Sequence, residues 1–182
     1  MSYSSPISER AAPVVAIRTP TLADGDEFVA RTRASLELHH PWVTPPATRA
    51  QYEAYQRRVQ QPDFAGYLVC HRGEGSIVGY FTLGHIVHDA LQSAYLGYAA
   101  FAPFHGRGLM TEGMRLVLED AFDRLRLHRV EANIQPGNTR SQALAQRCGF
   151  QREGFSPAYL KIGGVWRDHE RWAIRADHPA RR

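Results

Sequence analysis

The chain contains no long apolar run. Nowhere in its 182 residues does an uncharged hydrophobic stretch approach the roughly 18 that a membrane-spanning helix needs, so no membrane partner is expected. Cysteine is scarce. Cys70 sits in an apolar strand-like segment and Cys148 at a predicted helix end, which suits two buried thiols better than a disulfide framework. The start, Met1 to Val14, lacks the apolar core of a secretory signal and points to a cytoplasmic chain. The histidines offer no His-x-x-x-His pair on a helix and no Cys-x-x-Cys partner, so no metal is expected. No internal repeat occurs. The net charge of +4 is mildly basic, favouring polyphosphate ligands, yet it is spread along the chain and forms no nucleic-acid-binding stripe.

What is present is an ordinary globular composition, 43% apolar and 22% charged. The length fits one domain over residues 1–182, with flexible tails expected at 1–12 and 176–182. Val14 to Arg18 reads as a strand, Asp24 to Leu38 as a helix with acidic residues in its first turn, and Ala50 to Gln60 as a second, more polar helix. Gly66 to His71, Ile77 to Ile86 and Ser93 to Ala99 read as three successive strands. From Met110 to Leu125 the apolar residues Met110, Met114, Val117, Leu118, Ala121, Phe122 and Leu125 form one helical stripe, with Arg115, Glu119, Asp123 and Arg124 outside it. Arg129 to Gln135 alternates as a strand, Ser141 to Cys148 is a short helix closed by Gly149, and two last strands, Tyr159 to Ile162 and Val165 to Ile174, meet at Gly163-Gly164.

The segment with the clearest chemistry joins a strand to the long helix: Phe104-His105-Gly106-Arg107-Gly108-Leu109-Met110-Thr111-Glu112. Two glycines let the backbone approach a ligand closely, and the helix that follows begins with unpaired N–H donors. Neither glycine has a side-chain oxygen to cap that helix, so an anion can take the place of a cap. Read alone, the same segment is also consistent with a plain Gly-rich turn. Beyond the next strand, Pro136-Gly137-Asn138-Thr139-Arg140-Ser141 leads into the short helix and Cys148-Gly149-Phe150. The two blocks suggest a nucleotide-bearing cofactor held between two strands and two helices.

These blocks resemble the GNAT acyl-CoA-dependent N-acetyltransferases, whose cofactor loop follows Gln/Arg-x-x-Gly-x-Gly/Ala. Here that register is His105-Gly106-Arg107-Gly108-Leu109-Met110, with the first and last positions departing from the pattern. Within the superfamily the chain is most similar to the Rim-type ribosomal-protein alanine N-acetyltransferases. Gly106 to Glu112, Pro136 to Ser141, Arg152-Glu153-Gly154-Phe155 and Tyr159 to Ile162 followed by Trp166-Arg167-Asp168-His169 carry that likeness.

The resemblance implies an α+β GNAT fold: a mixed, mostly antiparallel sheet with helices on both faces and a splayed central strand pair between which acetyl-CoA lies. It implies that the loop residues His105, Gly106, Arg107, Gly108, Leu109 and Met110 hold the pyrophosphate, that Phe101 faces the acetyl thioester through its backbone, and that Asn138 bonds the pantetheine amides. Asn138 also fits as an ordinary helix N-cap. His39, His40 and Trp42, in a Trp-bearing loop bounded by Pro41 and Pro45, are expected near the acceptor amine; Trp166 and Trp172 are expected to pack.

Many relatives protonate the departing thiolate with a tyrosine seven residues after the asparagine. That position is Ala145. Ser141 stands where the Rim-type resemblance implies a serine donor, though a first-turn serine can equally satisfy the helix backbone. Tyr159, through water, is the reserve. Glu153 is the candidate base, with Asp168 and Glu170 behind it, and each also reads as a solvated strand charge. An α-amine, with a reference pKa near 7.7–8.0, asks less of a base than a lysine near 10.4. The function expected is therefore acetyl transfer to a primary amine, foremost the N-terminus of a protein such as a ribosomal protein. A small-amine acetyltransferase (polyamine, aminoglycoside or toxin) and a non-catalytic acyl-CoA sensor are the alternatives. A monomer or a homodimer would fit.

Overall fold

The computed structural model describes residues 13–177. Seven strands form one sheet in the order β1-β2-β3-β4-β5-β7-β6. They are β1 (Val15–Arg18), β2 (Phe64–His71), β3 (Ile77–Val87), β4 (Ser93–Ala100), β5 (Arg129–Ile134), β6 (Gln151–Ile162) and β7 (Val165–Arg175). Every pairing is antiparallel except β4 with β5. That parallel pair is bonded over Ser93, Ala94 and Tyr95 opposite Arg129, Val130 and Glu131, and then the strands part. The expected splay is therefore present, opening toward Ala100 and Ile134.

Helices cover both faces. On one, α4 (Leu109–Glu119) and α5 (Thr139–Arg147) pack through Met114, Val117, Leu118, Leu144 and Ala145 onto Val69, Phe81, Leu96 and Val130. On the other, α1 (Gly25–Arg33) and α3 (Arg49–Arg58) bring Phe28, Tyr52 and Tyr55 against Leu68, Tyr80 and Phe101. Phe28 meets the ring of Phe101 edge-on at 5.2 Å, a favoured aromatic geometry. No helix among the described residues is long and apolar enough to cross a membrane.

Four sequence expectations need correction. The helix expected over Asp24 to Leu38 is broken into α1 and the single turn α2 (Leu36–His39). Ser35 causes the break: its hydroxyl donates to the Arg31 carbonyl at 2.7 Å and accepts the Ala102 N–H at 2.9 Å, competing with the helix ladder. The long helix keeps α geometry only to Glu119 and widens over Asp120–Arg124, where the Leu125 N–H bonds the Asp120 carbonyl five residues back. Strand β6 begins at Gln151, well before Tyr159. Ala176, expected to open the C-terminal tail, instead donates its N–H to the His128 carbonyl at 2.8 Å and packs on the core. The remaining residues expected as tails, apart from Asp177, lie outside the described residues.

The C-terminus of α5 closes as anticipated. Gly149 has φ +91°, and the N–H groups of Gly149 and Phe150 return to the carbonyls of Gln146 and Ala145. This turn seats Phe150 in the core and fixes where α5 starts and ends beside the splay.

Candidate active site

A cleft of about 810 Å³ opens at the splay, lined by the end of β4, the loop before α4 and the first turns of α5. His39, Trp42, His105, Gly106, Gly108, Leu109, Met110, Asn138 and Ser141 line it, so nine of the anticipated positions converge here. Gly106 and Gly108 have φ +75° and +78°, conformations that disfavour any residue with a Cβ. A Cβ added at either would meet no protein atom within 4 Å, so the loop backbone faces open space.

The backbone N–H groups from His105 to Met110 have no hydrogen-bond partner among the described residues. Six such donors lie at the positive end of α4, the chemistry that an anionic ligand needs. Gly108 is the N-cap of α4 and no side chain caps the helix. Arg107 does not line the cleft; its exposed guanidinium stands 5.9 Å from the centroid of the Phe104 ring. Arg140 and Arg147, which the sequence reading passed over, line the cleft and bring positive charge from α5.

Asn138 is the N-cap of α5, its Oδ1 accepting the Ser141 N–H at 3.1 Å. The side-chain NH₂ remains available to a ligand. Phe101 needs correction: its N–H donates to Val78 O at 2.8 Å, its carbonyl accepts the Phe104 N–H at 2.9 Å, and its ring is fully buried. It closes the core behind the cleft and has no free backbone N–H to donate to a thioester carbonyl.

The Ser141 hydroxyl oxygen lies 2.6 Å from that of Tyr98. Tyr98 projects from β4 on the same face as Ala94 and Leu96, toward α4 and α5, and its ring packs against Phe81 at 5.5 Å. Burial pushes its phenol up to about 12, only partly offset by the bond to Ser141, so the phenol is un-ionised at neutral pH. Alternation along Ser93 to Ala99 was the available signal, since it places Tyr98 two positions beyond Leu96 on the helix-facing side.

The other catalytic candidates lie elsewhere. Tyr159 stands beside the side chain of Tyr95, which the pleat turns to the opposite face of β4 from Tyr98, and its ring is 6.2 Å from that of His169. Glu153 is paired with Arg129, which holds its carboxyl below the usual range and weakens it as a base. Arg129 sits opposite Ser93 at the closed end of the splay, about 16 Å of strand from Tyr98 at the usual rise per residue. Glu153 is therefore corrected to a structural ion pair. Asp168 accepts the Ala158 N–H at 2.8 Å, supporting a residue with φ +46°. Glu170 is held by Arg152 at 3.1 Å and by the Trp172 indole N–H at 3.1 Å.

A second cavity, about 1240 Å³, lies between α2, the Pro41 to Ala47 loop, α3 and the β6–β7 turn. His39 lines both spaces and stands between them. Its Nε2 bonds the Ala100 carbonyl at 2.8 Å, so that nitrogen carries the hydrogen, and burial lowers the imidazole pKa and keeps the ring neutral. His40 is exposed and lines the second cavity alone, whereas Trp42 lines the first. The Trp42 loop is tied to the end of β5 by Gln135, whose Nε2 donates to the Trp42 carbonyl at 3.1 Å. Trp172 is buried as expected, but Trp166 is 60% exposed, because its hairpin end projects beyond the core. Both cysteines are free and buried, and among the described residues no group of three or more His, Cys, Asp or Glu could hold a metal.

Comparison with known proteins matches this architecture to one family. The profile of the acetyltransferase (GNAT) domain covers residues 15–151. The probable N-acetyltransferase YjcK of Bacillus subtilis is 35% identical over 133 residues, 73% of this chain and 74% of its own length. The [ribosomal protein uS5]-alanine N-acetyltransferase of Escherichia coli is 36% identical over 96 residues, 53% of this chain and half of the relative. Among solved structures, Mycobacterium smegmatis RimJ in complex with CoA-disulfide superposes with a TM-score of 0.82 at 27% identity, covering 91% of this chain and 84% of that one.

Proposed function

The chain belongs to the GNAT acetyltransferase family, and from that premise we propose that it transfers the acetyl group of acetyl-CoA to the α-amine of a protein N-terminus, with a ribosomal protein as the foremost acceptor. The observation that carries the acceptor reading is the wall of the second cavity. It presents Arg58 and Arg167 against the single carboxylate Glu37, beside apolar Pro41, Val43, Pro45 and Pro46. A polyamine with several cationic nitrogens finds there no cluster of carboxylates to replace its hydration. A peptide that enters amine first, with apolar or acidic residues following, meets complementary chemistry.

The cradle of six N–H groups would hold the coenzyme A pyrophosphate, and the cleft between β4 and β5 would take the pantetheine chain, leaving the thioester near Tyr98 and Ser141. Reaction forms the C–N bond and breaks the C–S bond. The amine loses one proton and the coenzyme A sulfur gains one. Glu153, Asp168 and Glu170 are each committed to structural bonds, so the acceptor enters in its neutral form. At pH 7.4 roughly a quarter of an α-amine with pKa near 7.8 is already neutral, against about one part in a thousand of a lysine near 10.4. That ratio favours N-termini without a dedicated base.

The test is release of free thiol from acetyl-CoA in the presence of N-terminal peptides, internal-lysine peptides and spermidine, with the modified nitrogen located by mass spectrometry. Acetylation confined to α-amines is the expected result. Turnover greatest with spermidine would overturn the acceptor assignment, and tight acetyl-CoA binding without turnover on any amine would make the protein a sensor.

A further inference from the structure

The tyrosine that many relatives place in α5 is replaced here by Ala145, which is fully buried and carries no hydroxyl. A phenol nevertheless reaches the same hydroxyl network from the opposite wall of the cleft. We propose that Tyr98 is a positioning residue for acetyl transfer, holding the Ser141 hydroxyl so that its hydrogen points at the departing sulfur. The inference rests on the acetyl-transfer reading above.

The geometry leaves few alternatives for these two groups. Their oxygens are 2.6 Å apart, a short and strong contact for neutral hydroxyls. The next acceptor for the phenol is the Ser141 carbonyl at 3.4 Å, a far weaker bond. Ser141 is fixed at its own end as well, because its N–H is held by Asn138 at the start of α5. The phenol is the more acidic of the two hydroxyls and therefore the better donor. With Tyr98 donating to Ser141 Oγ, the serine hydrogen is released toward the cleft, and the bond it makes there is strengthened by the one it accepts.

Magnitudes exclude Tyr98 as the proton source. A coenzyme A thiolate near the reference thiol value of 8.5 is too weak a base to leave a tyrosinate whose pKa is raised to about 12. The proton that ends on sulfur originates on the amine; the serine hydrogen stabilises the thiolate as the C–S bond lengthens, and the phenol keeps its own proton throughout. Tyr98 acts through orientation and polarisation, which is the role of a hydrogen bond aimed at developing charge.

A double-mutant cycle with Tyr98→Phe and Ser141→Ala tests the coupling, supported by 13C labelling of tyrosine Cζ in the free protein. Phenylalanine keeps the ring packed on Phe81, so the fold should survive. Tyr98→Phe should lower kcat about tenfold with the acetyl-CoA KM within about twofold of wild type, and should cost nothing further in the Ser141→Ala background. The Cζ resonance that disappears in Tyr98→Phe should shift in Ser141→Ala without any ligand present. Multiplicative rate effects, or a Cζ resonance indifferent to Ser141, would overturn the proposal. A slow Ser141→Ala beside a wild-type Tyr98→Phe would remove Tyr98 alone. A wild-type Ser141→Ala would remove the serine, and with it the positioning role. No turnover by wild-type protein on any amine would instead fail the acetyl-transfer reading.

Discussion

Asn138 caps α5 and is proposed to contact the ligand as well, and substitution can divide the two duties. Its Oδ1 caps α5 by accepting the Ser141 N–H at 3.1 Å, while its NH₂ is the group proposed to reach the pantetheine chain. Asn138→Ala removes both. Loss of an N-cap costs about 1 kcal/mol, and for a domain of this size each kcal/mol moves Tm by roughly 2–4 °C, so a fall of about 3 °C is expected in calorimetry. Asn138→Ser removes only the amide, since serine caps about as well as asparagine. Its Tm should stay within about 1 °C of wild type. One neutral hydrogen bond to the ligand, worth about 1 kcal/mol net, should then appear as a roughly fivefold fall in kcat/KM for acetyl-CoA. Steady-state kinetics at saturating acceptor, read beside the melting curves, distinguish the two duties. If Asn138→Ser keeps wild-type kcat/KM while Asn138→Ala loses only stability, the residue is a cap and the ligand contact is refuted.

Three further expectations follow from the geometry. Gly108→Val places a branched side chain in the open space over the loop at φ +78°, so acetyl-CoA affinity should fall more than about tenfold by titration calorimetry while the left-handed backbone costs about 1–2 kcal/mol of stability; unchanged affinity in a folded variant would disprove the cradle. Arg167→Gln together with Arg58→Gln should raise kcat/KM for spermidine relative to an N-terminal peptide, and a ratio that does not move would remove the cavity charges from acceptor choice. Asp24 accepts from Arg18 at 2.8 Å and from the Thr21 N–H at 2.7 Å, which holds its carboxyl below the ordinary value. The sign follows from that depression: the stabilisation is complete above about pH 4 and disappears as pH falls through the lower folded value, so Asp24→Asn should melt about 3 °C below wild type at pH 7, with the gap shrinking as pH falls below about 4. A gap undiminished at pH 2 would contradict the assignment.

The parts of this fold that were legible in the sequence are those where one face is buried and the other wet. Met110, Met114, Val117 and Leu118 announce α4, and Val130, Ala132 and Ile134 announce β5, because burial imposes the period. The first part of strand β6, before Tyr159, was hidden for the converse reason. Most of its residues from Gln151 to Ala158 are exposed, so no alternation marks them. The break at Ser35 depends on Ala102, 67 residues away, which no local window contains. The glycine loop before α4 could be read because positive φ demands glycine, whereas the partnership of Tyr98 with Ser141 arises only when β4 and α5 meet.

The outer borders of the sheet bear on how the protein behaves at high concentration. An unpaired strand border is a template on which other chains can stack, and long, flat, apolar borders seed aggregation. Strand β1 limits that hazard by being only four residues long. Strand β6 is twelve residues long and exposes Phe155 and Leu160, so length gives it no protection. Its pairing with β7 shifts register after Arg152 and again after Ser156, Pro157 has no N–H to offer, and Ala158 turns to φ +46°. An incoming strand would find short, misaligned runs of donors and acceptors in place of a continuous row. These irregularities guard it against edge-to-edge polymerisation.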